Sequence, residues 1–312
     1  MVAKCFVDGA AGTTGLEITE RLTGRGDIEL IVLDEAQRKH TLARRDAFNA
    51  ADIAILCLPD DAARDAVAML DPASTTRVID ASSAHRTAPG WTYGFPELVG
   101  RNRVAEARFI SNPGCYPTGF LALIAPLFRE GLLPADWPYT VNAVSGYSGG
   151  GKALIERFEH DTEIAYRAYG LSLDHKHLEE MRVHGGLRHA PVFSPSVISA
   201  FRGMLVDVPL PLAAMGVQPV VEDLRRCLAD AYADQPTIYV VDEEHALVEL
   251  LLSRDAAPWD GMELHVFGAP DCRQARLVAR FDNLGKGASG AAVQTLNLML
   301  GVGEYTGLRL TP

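Results

Sequence analysis

Cysteine is scarce in this chain: the 312 residues contain five, Cys5, Cys57, Cys115, Cys227 and Cys272. The number is odd, the residues are scattered and none forms a CxxC pair, so neither a disulfide framework nor a zinc site is indicated, and no metal is expected. No run approaches the roughly 18 consecutive apolar residues a membrane span needs. No run of five or more lysines and arginines occurs, and the formal net charge is −11. A nucleic-acid surface is therefore disfavoured, and a small molecule is the expected partner. The opening residues carry no basic region followed by a long apolar segment and a small-residue cleavage site, so a cytoplasmic protein that binds no membrane is expected. What remains is a globular balance of 48% hydrophobic and 22% charged residues.

The length exceeds what one compact core usually holds and implies two domains of roughly 100 to 200 residues each. In the first part, Ala3 to Asp8 is a short apolar run ending in glycines, Thr14 to Arg25 has helical spacing, and Glu29 to Leu33 is apolar again. That is a βαβ unit. Ile53 to Leu58, Asp61 to Leu70 and Arg77 to Asp80 continue the alternation as strand, helix and strand, which predicts a parallel sheet with helices on its faces. After Cys115 the texture changes. Tyr139 to Val144, Val197 to Val208, Ile238 to Val241, Leu247 to Leu252, Leu264 to Ala269 and Gln274 to Asp282 read as successive strands, with helices drawn from Ala153 to Met181. This predicts an α+β domain with a mostly antiparallel or mixed sheet. Ala288 to Leu300 returns to helical periodicity and is placed back against the first domain. The expected division is 1–114 plus 285–312 for the first domain and 115–284 for the second.

Gly9, Gly12 and Gly15, with Thr13 and Thr14 between the last two, separate the first strand from the first helix. Glycines there permit a tight turn and let backbone N–H groups approach a pyrophosphate at a helix N-terminus. The GxxGxxG spacing departs from the GxGxxG fingerprint, but its position after the opening strand supports a dinucleotide site. Asp34 suits a ribose hydroxyl, whereas Arg38 and Lys39 suit a 2′-phosphate, so the residues leave NAD and NADP open.

Asn112-Pro113-Gly114-Cys115-Tyr116-Pro117-Thr118-Gly119 precedes the apolar stretch Phe120 to Leu127, which places Cys115 at a helix start with Pro117 in the first turn. A helix N-terminus favours the thiolate, the nucleophilic form. Cys5 and Cys57 lie in apolar strands, where cysteine behaves as a small inert hydrophobe. Proton-transfer partners concentrate in Tyr169 to Glu180, where His175 and His177 form an HxH. Two histidines at that spacing cannot share one helical face, although they could share one strand face, and only one is expected to meet the cysteine. Glu180, three residues after His177, can orient an imidazole if the segment becomes helical there. Ser145 and the glycines that follow, Gly149 among them, form a loop too glycine-rich for a good helix or strand; it suits an anion or a closely approaching cofactor. Its spacing is not that of a Walker A motif, which excludes an NTPase. Arg86 follows the C-terminal end of Arg77 to Asp80, the edge of a parallel sheet where ligands sit, and its fork suits a phosphate.

In order and spacing, these segments, together with His189 to Pro195 and Asp282 to Ala288, resemble the N-acetyl-gamma-glutamyl-phosphate reductases in their shorter form. His189-Ala190-Pro191 stands where that family would have His-Val-Pro. The resemblance implies an α/β fold with a Rossmann-type domain for NADP(H), a GAPDH-like catalytic and oligomerisation domain, and a homo-oligomer. It implies Cys115 as nucleophile and His177 as general acid/base, supported by Glu180 and Tyr169. Ser145 and Gly149 would line the pocket beside Asn112, Arg86 would take the substrate phosphate, and Asn283, Lys286 and Gly287 would belong to the nicotinamide site. The reaction so implied is NADPH-dependent reduction of an acyl phosphate through a cysteine thioester, in arginine biosynthesis. Aspartate-semialdehyde dehydrogenases share the fold and the thioester chemistry, but they characteristically carry Asn two residues after the cysteine, where this chain has Pro117. A lysine-pathway acyl-phosphate reductase and a non-catalytic NADP-binding redox regulator are the further alternatives.

Overall fold

A computed structural model describes residues 2–216, 219–242 and 247–311. They fall into two compact units, divided between Gly114 and Cys115 and again between Gly287 and Ala288. From Arg309 the chain belongs to the second unit again, where Asp260 N donates to Arg309 O and Arg309 N to the Asp260 carboxylate, both at 2.8 Å. The sequence reading assigned 285–287 and this final stretch to the first domain.

The first unit alternates strands and helices: β1 (Ala3–Asp8), α1 (Thr13–Leu22), β2 (Ile28–Ile31), α2 (Thr41–Ala50), β3 (Ile53–Leu56), α3 (Asp60–Ala68), β4 (Arg77–Asp80), β5 (Thr92–Tyr93), α4 (Pro96–Val99), α5 (Arg101–Glu106) and β6 (Phe109–Ser111). Its sheet has the order β2-β1-β3-β4-β6-β5, and every neighbouring pair is parallel. Strands buried on both sides must be apolar at every position, and the Ile-Ala-Ile-Leu of β3 is fully buried. Val7, Ile53, Ile55, Ile79 and Ile110 pack with Ile18 and Leu22 of α1 and with Val293 and Leu296 of the closing helix Gly290–Leu300. On the opposite face Phe6, Ala54, Leu56 and Val78 pack with Phe48 of α2 and with Ala63 and Ala66 of α3. Helix α2 was not expected from the sequence, because it buries only Ala47 and Phe48 and shows no apolar stripe at helical spacing. His40 Nδ1 accepts from Ala43 N at 3.3 Å and caps it.

The second unit contains α6 (Cys115–Arg129), β7 (Thr140–Gly146), α7 (Lys152–His160), β8 (Tyr166–Ala168), α8 (Leu178–Gly185), β9 (Val192–Ile198), β10 (Met204–Leu210), α9 (Val221–Ala231), β11 (Ile238–Val240), β12 (Met262–Gly268) and β13 (Ala275–Phe281). The sheet order is β11-β12-β13-β10-β7-β9-β8, with β7/β9 and β11/β12 parallel and the other pairs antiparallel. Three local expectations are corrected. Val197 to Val208 is the end of one strand and most of the next, separated by a turn in which Gly203 holds φ +105°. Leu247 to Leu252 is no strand. Leu247, Val248 and Leu251 are exposed, and Leu247 to Leu250 line a groove of about 490 Å³ on the sheet instead of pairing with it. The stretch Ala153 to Met181 holds one helix, a short strand and only the start of a second helix, because Gly170 and Leu173, both at positive φ, turn the chain.

Helix α6 is apolar nearly all round and buried accordingly. Gly119 lets it approach the sheet, since a Cβ there would lie 2.8 Å from both Phe281 and Val206 side-chain atoms. Alanine in a helix interior is favoured over glycine by about 1 kcal/mol, whereas overpacking costs about 1–3 kcal/mol. The clash is with two strands that cannot easily retreat, so it wins: Gly119→Ala is expected to lower stability by up to about 2 kcal/mol, read as a lower urea midpoint at unchanged m. A higher midpoint would mean that the helix can move away.

Candidate active site

In the first unit, β1 runs directly into the glycine turn. Gly9 holds φ +89°, and a Cβ there would lie 2.2 Å from Cys57 O. Gly12 N donates to Gly9 O at 3.0 Å. A Cβ on Gly15 would come within 2.4 Å of Gly9 O, so the helix seats tightly against the turn. Thr13 and Thr14 open α1, whose N-terminus has no side-chain cap and no acidic residue in its first turn. Unneutralised amides of this kind suit a pyrophosphate. After β2, Asp34 Oδ1 accepts from Gln37 N at 2.8 Å, closing a single helical turn over Gln37–Lys39. Arg38 is exposed there and pairs with Glu35 at 2.6 Å, with Lys39 beside it. Arg44, which the sequence reading did not single out, grips Asp8 at the end of β1 through Nε and a terminal nitrogen, the shortest contact being 2.7 Å. No motif marks that pair, since its partners lie 36 residues apart.

The loop after β4 is pinned by two carboxylates. Buried Asp80 accepts from Ser82 N at 2.9 Å and from Ser82 Oγ at 2.8 Å, and lies 2.6 Å from His85 Nδ1. Asp60 holds Ser83 through its amide and hydroxyl. Arg86, at the end of this loop, is buried and donates to Asn112 O at 3.1 Å and to Ala81 O at 3.3 Å. Asn112 is likewise buried, its Nδ2 donating to Ala288 O at 3.0 Å. The structure thus brings Arg86 and Asn112 together at the C-terminal edge of β4 and β6.

In the second unit Cys115 is the first residue of α6, at the positive end of the helix dipole. A Cβ on Gly287 would lie 3.0 Å from Cys115 Cβ, so this glycine is what leaves room beside the cysteine. Tyr116, missed in the sequence, lies next to it. Its hydroxyl donates to Ser196 O at 3.1 Å and accepts from Tyr169 Oη at 3.1 Å, and Ser145 is within hydrogen-bonding reach. Burial, then the neighbouring Tyr169 and Cys115, push the Tyr116 phenol well above its ordinary value. Burial likewise pushes Tyr169 up to about 12. Both hydroxyls therefore stay protonated near neutral pH and serve as hydrogen-bonding groups.

The Tyr116 ring is 5.9 Å from His177 and 6.4 Å from His175, centroid to centroid. His177 is only 5% exposed and immediately precedes α8, and Glu180 is buried in the first turn of that helix. Tyr169 meets Tyr116 and the His175 ring, the latter at 5.8 Å. Ser145 is the next-to-last residue of β7, and a Cβ on Gly149 would lie 3.4 Å from both Ser145 Oγ and Asn283 Nδ2. The glycine-rich stretch after Ser145 is thus the end of a strand followed by a helical turn over Tyr147–Gly150, corrected from a loop. Asn283 is committed to the protein itself: its Oδ1 accepts from Gly203 N at 3.0 Å and its Nδ2 donates to Ser148 Oγ at 2.9 Å. Lys286 is buried. Burial pushes the thiols of Cys5, in the core, and Cys57, packed against it, up to about 12. Among the described residues no cluster could hold a metal ion, and no helix is long and apolar enough to cross a membrane.

Two family models match the chain: "Semialdehyde dehydrogenase, NAD binding domain" over residues 5–107 and "Semialdehyde dehydrogenase, dimerisation domain" over residues 115–283. Curated relatives from Brucella ovis and Brucella melitensis biotype 2, both named N-acetyl-gamma-glutamyl-phosphate reductase, are each 52% identical over 309 residues, covering 96% of this chain and all of theirs. Among solved structures, aspartate semialdehyde dehydrogenase II from Vibrio cholerae aligns with a TM-score of 0.70 at 17% identity, over 96% of this chain and 99% of that one. The aspartate semialdehyde dehydrogenase from Candida albicans, solved with NADP, aligns with a TM-score of 0.64 at 16% identity, over 96% and 98%. At such identities these two structures speak to the fold alone.

Proposed function

The chain belongs to the semialdehyde dehydrogenase family, within its N-acetyl-gamma-glutamyl-phosphate reductases, and from that premise we propose how its residues carry the reaction. The enzyme reduces N-acetyl-gamma-glutamyl phosphate to N-acetylglutamate 5-semialdehyde. The observation that carries the mechanism is a helix-start cysteine whose chain neighbour, Tyr116, packs against a buried histidine of the same unit. Cys115 attacks the acyl carbon as its thiolate, the C–O bond to phosphate breaks, and a thioester forms on the sulfur. Reduced nicotinamide, held beside Lys286 and Gly287, would supply the hydride that brings the thioester to the aldehyde level. The C–S bond then breaks, releasing the semialdehyde and restoring the thiolate. One proton is consumed overall, and His177 is the group assigned to deliver it. Arg86 and Asn112 are assigned to the substrate, with Ser145 and Gly149 lining the pocket.

The cofactor fits the glycine turn, where added Cβ atoms at Gly9 and Gly15 would fill the cradle. The reading of NADP over NAD is supported by Arg38 and Lys39 on the turn after β2 and by the Asp34 carboxylate being occupied with Gln37 N. Lys286 and Gly287 are assigned to the nicotinamide side; Asn283, held by Gly203 and Ser148, acts there by fixing the loop. A homo-oligomer, dimer or tetramer, is supported by the matched dimerisation domain and by the exposed Leu247, Val248 and Leu251.

The test is the reverse reaction. Protein with inorganic phosphate and NADP is expected to generate reduced-cofactor absorbance with N-acetylglutamate 5-semialdehyde and none with aspartate semialdehyde, and NAD is expected to be the poorer acceptor. Activity confined to aspartate semialdehyde would overturn the substrate, and equal rates with NAD would overturn the cofactor preference.

A further inference from the structure

The HxH motif contains one histidine that the reaction scheme leaves without a task. His175 is half-buried, and its ring is surrounded by Tyr116, Tyr169, Phe193 and His177, with centroids 6.4, 5.8, 5.2 and 4.7 Å away. Its Nδ1 accepts a hydrogen bond from the backbone N–H of His177 at 3.2 Å. That contact is informative because a ring nitrogen can accept only when it carries no proton. The geometry therefore selects the neutral imidazole with its hydrogen on Nε2. A side-chain acceptor reaching the amide two residues on is the arrangement by which Asn and Asp close Asx turns. Here it fixes the residue immediately before α8, a position where His177 itself supplies no side-chain cap.

The approach to this turn is equally constrained. Gly170 takes φ +65° and Leu173, a non-glycine residue, takes φ +57°. Leu173 N donates to Gly170 O at 3.0 Å and Leu178 N to His175 O at 2.9 Å. The left-handed region is unfavourable for a leucine, so the chain is held in a tight turn on its way to His175.

We propose that His175 is the positioning residue for His177: its unprotonated Nδ1 holds the His177 amide, and its ring, wedged among Tyr116, Tyr169 and Phe193, sets the direction from which the His177 imidazole meets the site. Tyr169 then acts through His175 and Tyr116. The assignment rests on the reading of His177 as the acid/base group, and it is tested by substitutions that separate acceptor from ring. In His175→Asn the side-chain carbonyl reaches the place of Nδ1; in His175→Gln it reaches toward the place of Nε2; His175→Leu keeps bulk and removes the acceptor.

Hydrogen exchange at the His177 amide reports the bond without any substrate. Protection is expected to be retained in His175→Asn and lost in His175→Leu and His175→Gln, with the melting temperature showing that each variant is folded. In turnover, His175→Asn is expected to keep kcat within about threefold, while the Leu and Gln variants lose about 10- to 100-fold in kcat with KM nearly unchanged, the pattern of a lost transition-state arrangement. Residues that act as one unit are non-additive, so His175→Leu combined with His177→Ala is expected to be no slower than His177→Ala alone. An unchanged His177 amide in His175→Leu, or a His175→Asn variant as slow as His175→Leu, would overturn the proposal. Full activity of His177→Ala would instead remove the acid/base reading on which it rests, a separately visible result.

Discussion

Cys115→Ala is expected to lose turnover by on the order of 10^4-fold or more, as removal of a covalent nucleophile generally does, while still binding NADPH. The two effects separate because the side chain removed is a sulfur at the start of α6, whereas the glycine turn belongs to the other unit. The measurement pairs a steady-state rate with the fluorescence of bound NADPH. Chemical modification gives the same answer from another direction. Cys5 and Cys57 are held near a pKa of about 12 by burial and stay as inert thiols at pH 8, and burial also pushes the Cys227 thiol up. Iodoacetamide is therefore expected to inactivate through Cys115. The exposed Cys272 takes up reagent as well, but Cys272→Ser is expected to be inactivated at the same rate as the unmodified sequence. Normal turnover in Cys115→Ala would end the thioester scheme altogether.

The second large effect is expected at His177. Removing a positioned general acid/base lowers the rate by about 10^2- to 10^4-fold, and the loss in His177→Ala should fall on kcat, with KM for substrate and cofactor little changed. His177 is buried against Tyr116, so its imidazole also fills space. His177→Asn keeps some of that volume and a hydrogen-bonding group, and is expected to lose as much rate as alanine does. The two phenols nearby cannot substitute for it, because both are held above the range in which they would exchange protons readily at neutral pH. A His177→Asn variant with near-normal kcat would mean that the residue shapes the pocket without moving a proton.

How much of this could be read in one dimension follows from the range of the interactions. The glycine turn, Cys115 with its proline-bearing first turn, and the HxH with Glu180 are each contained within about a dozen residues, and local spacing announces them. The parallel sheet was readable for a related reason: strands covered on both faces, such as β3, must be apolar at every position. Leu247 to Leu252 misled because an apolar run looks the same whether it pairs in a sheet or lies across one. Helix α2 was hidden because only two of its ten residues, the adjacent Ala47 and Phe48, are buried, too few to show a helical period.

By itself, then, the sequence determined the chemistry-bearing residue types and the segments that present them, since turn glycines, a helix-start cysteine and an apolar strand are set by backbone sterics and solvation over a few residues. The tertiary structure alone decided which histidine nitrogen faces which amide, that Tyr116 joins Tyr169 to Ser196, that Asp8 holds Arg44, and that Gly287 gives Cys115 its space. Those are contacts between groups distant along the chain or dependent on side-chain direction. Their partners are selected by packing, which no local pattern encodes.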